Sequence, residues 1–286
     1  MRAALTDTAA ALADLVASGT SLVLTHGNGP QVGRLLLQQE LAADQVPPMP
    51  MDVCGALSQG QLGYLLAQAL DNALRRRRQD TRVLSLLTQV LVDGRDPAFR
   101  RPSKPVGPSY PRAVAQGIAQ ASGHVFAIQP DGQWRRVVAS PRPAGFVEQG
   151  ALKALVDAGH VVVAAGGGGV PVVEHRGQLR GVEAVVDKDR TAALLATVVG
   201  ADVLLVLTEV DRVQVGYGTP SARALSELTL AEARELLAAG EFPEGSMGPK
   251  VEACVSFVEA GGRAAIGALS QAADVLAGRA GTRFTP

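Results

Sequence analysis

The residues best suited to chemistry in this chain sit in two glycine-rich turns and beside a few isolated lysines. Gly27, Asn28 and Gly29 follow an apolar run at 21–25 and precede a helical pattern at 31–43. In parallel sheets, ligands bind at the carboxyl ends of strands. Glycines let backbone N–H groups approach an anion closely, and the following helix adds its positive end. An ordinary strand-to-helix turn would read the same way, so this motif alone decides nothing. The run Gly166, Gly167, Gly168, Gly169 has the same placement after an apolar stretch at 160–165. Consecutive glycines are costly in conformational entropy. A plain turn needs one or two, so four favour a close-approach anion site.

The chain has 27 basic residues, and only Lys104, Lys153, Lys188 and Lys250 are lysines. Where arginine is used almost everywhere, a retained lysine is a candidate for a task that needs a compact ammonium on a flexible stem. Lys153 sits in an ordinary helical pattern. Lys188 lies in Asp187-Lys188-Asp189 at a helix start, where a cation opposes the helix dipole. Asp187 reads as the helix cap there. Asp189 can hold the Lys188 ammonium while a phosphate shares it. Lys250 ends GSMGPK, just inside another helix start after Pro249. Lys104, in PSKPVGP, can reach a site from a proline-rich excursion or be a plain surface lysine.

Other chemistries lack their residues. His26, His124, His160 and His175 show no triad or metal spacing, and Cys54 and Cys254 form no metal pattern. There is no Walker loop, no dinucleotide fingerprint and no protein-kinase motif set.

The elements that must position these residues alternate. Helices are expected at 3–18, 31–43, 58–78, 147–158, 188–199, 230–239 and 249–260. Strands are expected at 21–25, 83–92, 160–165, 202–207 and 263–266. Strands that are apolar throughout, alternating with helices, imply an α/β chain with a mainly parallel sheet covered on both faces. Residues 93–143 break the pattern with frequent proline and two strand-like runs at 125–129 and 134–139, and read as a small inserted lobe. The composition is 47% hydrophobic with zero formal net charge. That allows a large core and speaks against a nucleic-acid partner. The run Arg75, Arg76, Arg77, Arg78 suits a solvated helix end. No apolar stretch is long enough for a membrane helix, and no signal-peptide plan is present. A cytoplasmic setting follows as the expectation.

The motifs HGNGPQVG (26–33), DPAF (96–99), PSKPVGP (102–108), AAGGGGVPV (164–172), VVDKDRTAALLA (185–196), TEVDRV (208–213) and GSMGPKV (245–251) resemble, in this order, those of the carbamate kinases of the amino acid kinase superfamily. The resemblance covers essentially the whole chain. It implies a three-layer αβα sandwich with a mainly parallel central sheet, spanning 1–286, with a protruding subdomain at 93–143. It implies phosphoryl transfer between ATP and carbamate, giving ADP and carbamoyl phosphate. Magnesium would come with the nucleotide, with no metal held by protein side chains, in a typically homodimeric enzyme. Lys188 and Lys250 match the lysines that neutralise the transferring phosphoryl group, Asp189 the aspartate that positions them, and Lys104 the subdomain lysine. Gly27, Asn28, Gly29, Gly166, Gly167 and Gly168 match the loops around substrate and phosphate. Thr208, Glu209, Val210, Asp211, Tyr217, Met247 and Gly248 fall in the nucleotide region.

Such kinases open with a strand and a Gly-Gly-Asn loop, whereas this chain opens with the following helix. From that we expect residues 1–286 by themselves to be poorly stable and weakly active. Two alternatives stay open from sequence: another amino acid kinase, acting on acetylglutamate or a nucleoside monophosphate, and a non-catalytic nucleotide-binding relative.

Overall fold

Alternating helices and strands carry the chain through several hydrogen-bonded sheets. The structure is a computed structural model and describes residues 2–242 and 245–286. Helix α1 (Arg2–Ala17) precedes strand β1 (Val23–Leu24), whose following turn opens α2 (Gly29–Ala42). Then come α3 (Met51–Arg76), β2 (Val83–Ser85) and β3 (Gln89–Val92). The next stretch holds β4 (Lys104–Tyr110), α4 (Arg112–Ser122), β5 (Phe126–Ile128) and β6 (Trp134–Val138). It leads to β7 (Pro143–Phe146), α5 (Gln149–Asp157), β8 (Val161–Val163), β9 (Val170–His175), β10 (Gln178–Gly181) and α6 (Lys188–Val199). The chain ends with β11 (Val203–Thr208), the pair β12 (Gln214–Val215) and β13 (Arg223–Ala224), β14 (Glu227–Thr229), α7 (Leu230–Ala238), α8 (Met247–Glu259), β15 (Arg263–Ala268), α9 (Ala272–Leu276) and β16 (Thr282–Thr285).

Parallel pairing dominates the centre. Strand β8 lies between β1 and β2, with Val162 opposite both Val23 and Leu84. Strands β3 and β9 pair in parallel, as do β11 and β15. Antiparallel partners are β7 on β3 and β10 on β9 at the sheet margins, and β16 on β15, with β14 parallel to β16 beyond it. The alternation of side chains across a strand makes the layers visible in β8. Val161 and Val163 enter one apolar cluster with Leu12 of α1, Leu70 of α3 and Ala272 of α9. Val162 enters another with Leu152 of α5 and Leu195 of α6. Helices therefore cover both faces, as a three-layer αβα sandwich requires. A further cluster joins α6 and α8 to Leu204, Val206 and Ile266 of β11 and β15. No described helix is long and apolar enough to cross a membrane.

Strand β6 lies between β4 and β5 in a separate antiparallel sheet. It packs on α2 and α3 through Val106, Val138, Val32 and Cys54.

The structure differs from the sequence reading at several boundaries. Helix α3 begins at Met51, seven residues before the expected start, because Pro50 caps it and Met51 and Cys54 bury against α2 and the small sheet. The single strand expected at 83–92 is two strands: β2 joins β8 and β3 joins β9. Within the proline-rich excursion, PSKPVGP runs into β4, which Lys104 opens, an edge strand of the kind that tolerates proline. Helix α8 starts at Met247 rather than Pro249, which puts Gly248 inside its first turn.

Candidate active site

The turn after β1 and the glycine run after β8 interlock. The backbone N–H of Gly167 donates to the His26 carbonyl over 2.7 Å. A Cβ at Gly166 would strike the His26 ring, one at Gly167 the Asn28 amide, and one at Gly168 the Val186 carbonyl. Glycine is required there by occupied space as well as by positive φ at Gly167 and Gly168. Side chains hold this arrangement from behind. Asn28 donates to the Ser58 hydroxyl over 2.8 Å. The buried Gln59 accepts from the Thr88 N–H and donates to the Thr88 carbonyl, both over 3.1 Å. The Thr88 hydroxyl in turn accepts from the N–H of Ala165, which sits in the left-handed region at φ 53. Thr191, on α6, donates its hydroxyl to the Gly168 carbonyl.

Helices α6 and α8 bring the lysines to the same place. Asp189 is 7% exposed and receives both: Lys188 Nζ lies 2.8 Å from Oδ1, and Lys250 Nζ 3.1 Å from Oδ2. The Lys188 stem lies over the first loop, with Cε 3.4 Å from where a Gly27 Cβ would be. Lys104 arrives from β4 and donates to Asp187 Oδ2 over 2.7 Å. Asp187 also caps α6, its Oδ1 accepting from the N–H groups of Asp189 and Arg190. Burial pushes the Asp187 carboxyl upward, but Lys104 and the two N–H groups outweigh it and hold it below its ordinary 3.8. Burial draws the Lys250 ammonium below the usual lysine range, against the pull of Asp189. His26 is likewise lowered from 6.5 by burial, so it is neutral at pH 7.

A cleft of about 1300 Å³ opens onto this constellation and is lined by Gly29, Lys104, Asp187 and Gly248 among others. The expected nucleotide residues are less gathered. Thr208, Glu209, Val210 and Asp211 run from the end of β11 into the bend beyond it, and Asp211 lines a second cavity with Arg212 and Gln214. Tyr217 is 69% exposed, while Met247 packs beside the α6–α8 core. Sequence reasoning missed Ser58, Gln59, Thr88 and Thr191. The one available signal was polar residues at buried positions of an otherwise apolar face, and burial is not visible in a single sequence.

The sequence pattern of the amino acid kinase family matches residues 2–267. Carbamate kinase of Pyrococcus furiosus is 46% identical over 98% of this chain and 90% of its own length. That of Halobacterium salinarum is 50% identical over 96% of this chain and 87% of its own. The chain belongs to the carbamate kinases of the amino acid kinase family. A solved carbamate kinase from Giardia lamblia, bound to AMP-PNP, superimposes with a TM-score of 0.92 at 40% identity, covering 99% of this chain and 90% of that one. Its relatives being kinases, ATP and ADP are the nucleotides this carbamate kinase fold serves.

Two outcomes test the site geometry. Gly167→Ala forces a methyl into the Asn28 amide and is expected to lower turnover at least about 100-fold, the scale of one misdirected donor. Gly200→Ala, at positive φ but with open space around it, should lose only about 1 kcal/mol of stability and keep its turnover. Equal activity loss in both would refute the close-approach role. Asp187→Asn should cost about 2 kcal/mol at pH 7, since a charge-assisted bond is lost. Because the folded carboxyl lies below its unfolded value, that advantage exists above pH 3.8 and disappears as pH falls through the folded value. Denaturation of both forms from neutral pH into acid checks this, and a gap that stays constant below 3.8 contradicts it.

Proposed function

We propose that this protein is a cytoplasmic carbamate kinase, transferring a phosphoryl group reversibly between ATP and carbamate to give ADP and carbamoyl phosphate. The observation that carries the reading is the sharing of Asp189 by Lys188 and Lys250 in front of two interlocked glycine loops. Phosphoryl transfer demands positioning and charge neutralisation more than covalent help. Lys188 and Lys250 supply positive charge to the transferring group, and Asp189 fixes where that charge stands. Carbamate is already an anionic nucleophile, so no strong general base is needed. The N–H groups of Gly27, Asn28 and Gly29, and of Gly166, Gly167 and Gly168, hold the small substrate and the phosphoryl oxygens. Thr208, Glu209, Val210, Asp211, Tyr217, Met247 and Gly248 take the nucleotide.

Residues 93–143 act as a subdomain that carries Lys104 to the substrate, exchanging its bond to Asp187 for one to the bound anion. Magnesium would come with the nucleotide and would offset phosphate charge there. Both site aspartates are already committed to lysines, which fits a metal carried by ATP. The enzyme is a homodimer. Val53, Leu57 and Tyr64 form an exposed stripe along α3 with helical spacing, which supports that face as the contact.

The direct test is ATP formation from ADP and carbamoyl phosphate. Turnover is expected with carbamoyl phosphate and not with acetylglutamyl phosphate, and chelation of magnesium should abolish it. Lys188→Ala and Lys250→Ala should each lower kcat by about 100-fold or more. ADP binding without turnover would leave a nucleotide-binding relative as the better account. Light scattering should give the dimer mass, and Leu57→Glu should shift it to the monomer; an unchanged mass would exclude α3 as the contact.

A further inference from the structure

Helix α3 buries two polar side chains in succession, Ser58 at 0% and Gln59 at 4% exposure. Its other buried residues, among them Cys54, Leu62, Leu70 and Leu74, are apolar or glycine. Burying a polar group costs free energy unless it is bonded. Packing alone would be served as well by apolar side chains of the same shape.

Each of the two heads a short chain of hydrogen bonds whose direction is fixed. The Ser58 hydroxyl donates its one hydrogen to the Gly55 carbonyl over 2.7 Å. Toward Asn28 it therefore accepts, and Asn28 Nδ2 donates to it over 2.8 Å. That bond selects one of the two flips of the Asn28 amide. The amide nitrogen, carbon and oxygen all occupy the space that a Gly167 Cβ would need, so the glycine run rests on that setting. Gln59 reads a backbone. The Thr88 N–H can only donate and its carbonyl only accept, and the Gln59 amide meets both. Thr88 then gives its hydroxyl hydrogen to the Leu86 carbonyl over 2.9 Å and accepts from the Ala165 N–H over 3.0 Å. Ala165 turns the chain into the glycine run at φ 53 and ψ 28, a left-handed setting that a residue with a Cβ keeps only when its surroundings hold it.

The two chains leave neighbouring positions of one helix and end on the two loops of the site. Ser58 reaches the turn before α2, and Gln59 reaches the turn after β8. Their common base is seated directly on β2, because a Cβ at Gly63 of α3 would strike the Ser85 hydroxyl. Neither chain of bonds includes a residue of β11 or α8, where the nucleotide residues lie.

We propose that Ser58 and Gln59 are positioning residues that set the mutual orientation of the two glycine loops, Ser58 through the Asn28 amide and Gln59 through Thr88. They thereby control how the small acyl phosphate is held and leave nucleotide binding untouched. The proposal rests on the reading that these loops hold that substrate.

Double-mutant cycles in the kinetics of ATP formation test it, since a residue that acts through another loses its effect once the other is gone. Ser58→Ala puts a good helix former in α3 and keeps the fold. It should lower kcat/KM for carbamoyl phosphate about ten-fold, the scale of one hydrogen bond, with KM for ADP unchanged. In an Asn28→Ala background the same substitution should change kcat/KM by less than about two-fold. Gln59→Met should behave in the same way alone and in a Thr88→Val background. Additive losses in either cycle overturn the role of the residue it tests, as does a fall in kcat alone that tracks the folded fraction; the carbamate kinase reading survives both results. A wild type without turnover overturns that reading instead, and the first cycle is then read in stabilisation against heat by inorganic phosphate. A loss of that stabilisation in Ser58→Ala that adds nothing to the loss in Asn28→Ala retains the positioning role. Stabilisation independent of Ser58 overturns it.

Discussion

Without Asp189 between them, Lys188 and Lys250 would repel each other. Two like charges about 4 Å apart cost about 4 kcal/mol at an effective dielectric of about 20. Each also stands at a helix N-terminus, where a cation opposes the dipole. One buried carboxylate shared by both ammonium groups offsets these costs. The result is a cluster that keeps one net positive charge in reserve. That constraint requires α6 and α8 to start at the same place. The Arg190–Glu252 pair and the apolar cluster between these helices meet the requirement.

A second constraint comes from space. The two glycine loops can interlock only if His26, Asn28 and the Val186 carbonyl fill the positions that side chains would take at Gly166, Gly167 and Gly168. The loop therefore cannot drift without disturbing the turn before α2 or the strap before α6. The break between β2 and β3 serves the same end. There the Thr88 hydroxyl turns inward to hold the Ala165 N–H, with Gln59 clamping the Thr88 backbone. A continuous strand through 83–92 would have spent the Thr88 N–H, which Gln59 takes here, on a ladder bond.

This explains what the sequence could disclose. Lys188, Lys250, Asp189 and the glycine runs were legible because their types are unusual for their settings: cations at helix starts, and glycine beyond what a turn needs. The layers were legible because β8 is apolar throughout and β11 and β15 are apolar except for the terminal Thr208 and Arg263. The split at 86–88 was not, since its residues have ordinary strand character and only their neighbours in space assign β2 and β3 to different partners. Strand β4 was hidden by its prolines, which an edge strand tolerates and a central one does not. The early start of α3 was hidden because Pro50 reads as a loop residue until Met51 and Cys54 are seen to be buried. Ser58, Gln59 and Thr88 act through tertiary contacts that no spacing encodes.

Asp187 shows why this helix start needs an acid and not merely a cap. For capping alone, serine or asparagine would serve nearly as well. Here one oxygen accepts from the N–H groups of Asp189 and Arg190 while the other accepts from Lys104. The same carboxylate thus fixes the turn that carries Lys188 and Asp189, and marks where the strand from the small sheet must end. A neutral cap could do the first but would leave the Lys104 ammonium without a counter-charge in a half-buried setting, which is costly. Because the cap uses Oδ1 and Lys104 uses Oδ2, loss of the Lys104 bond would leave the two N–H bonds that hold the helix start in place.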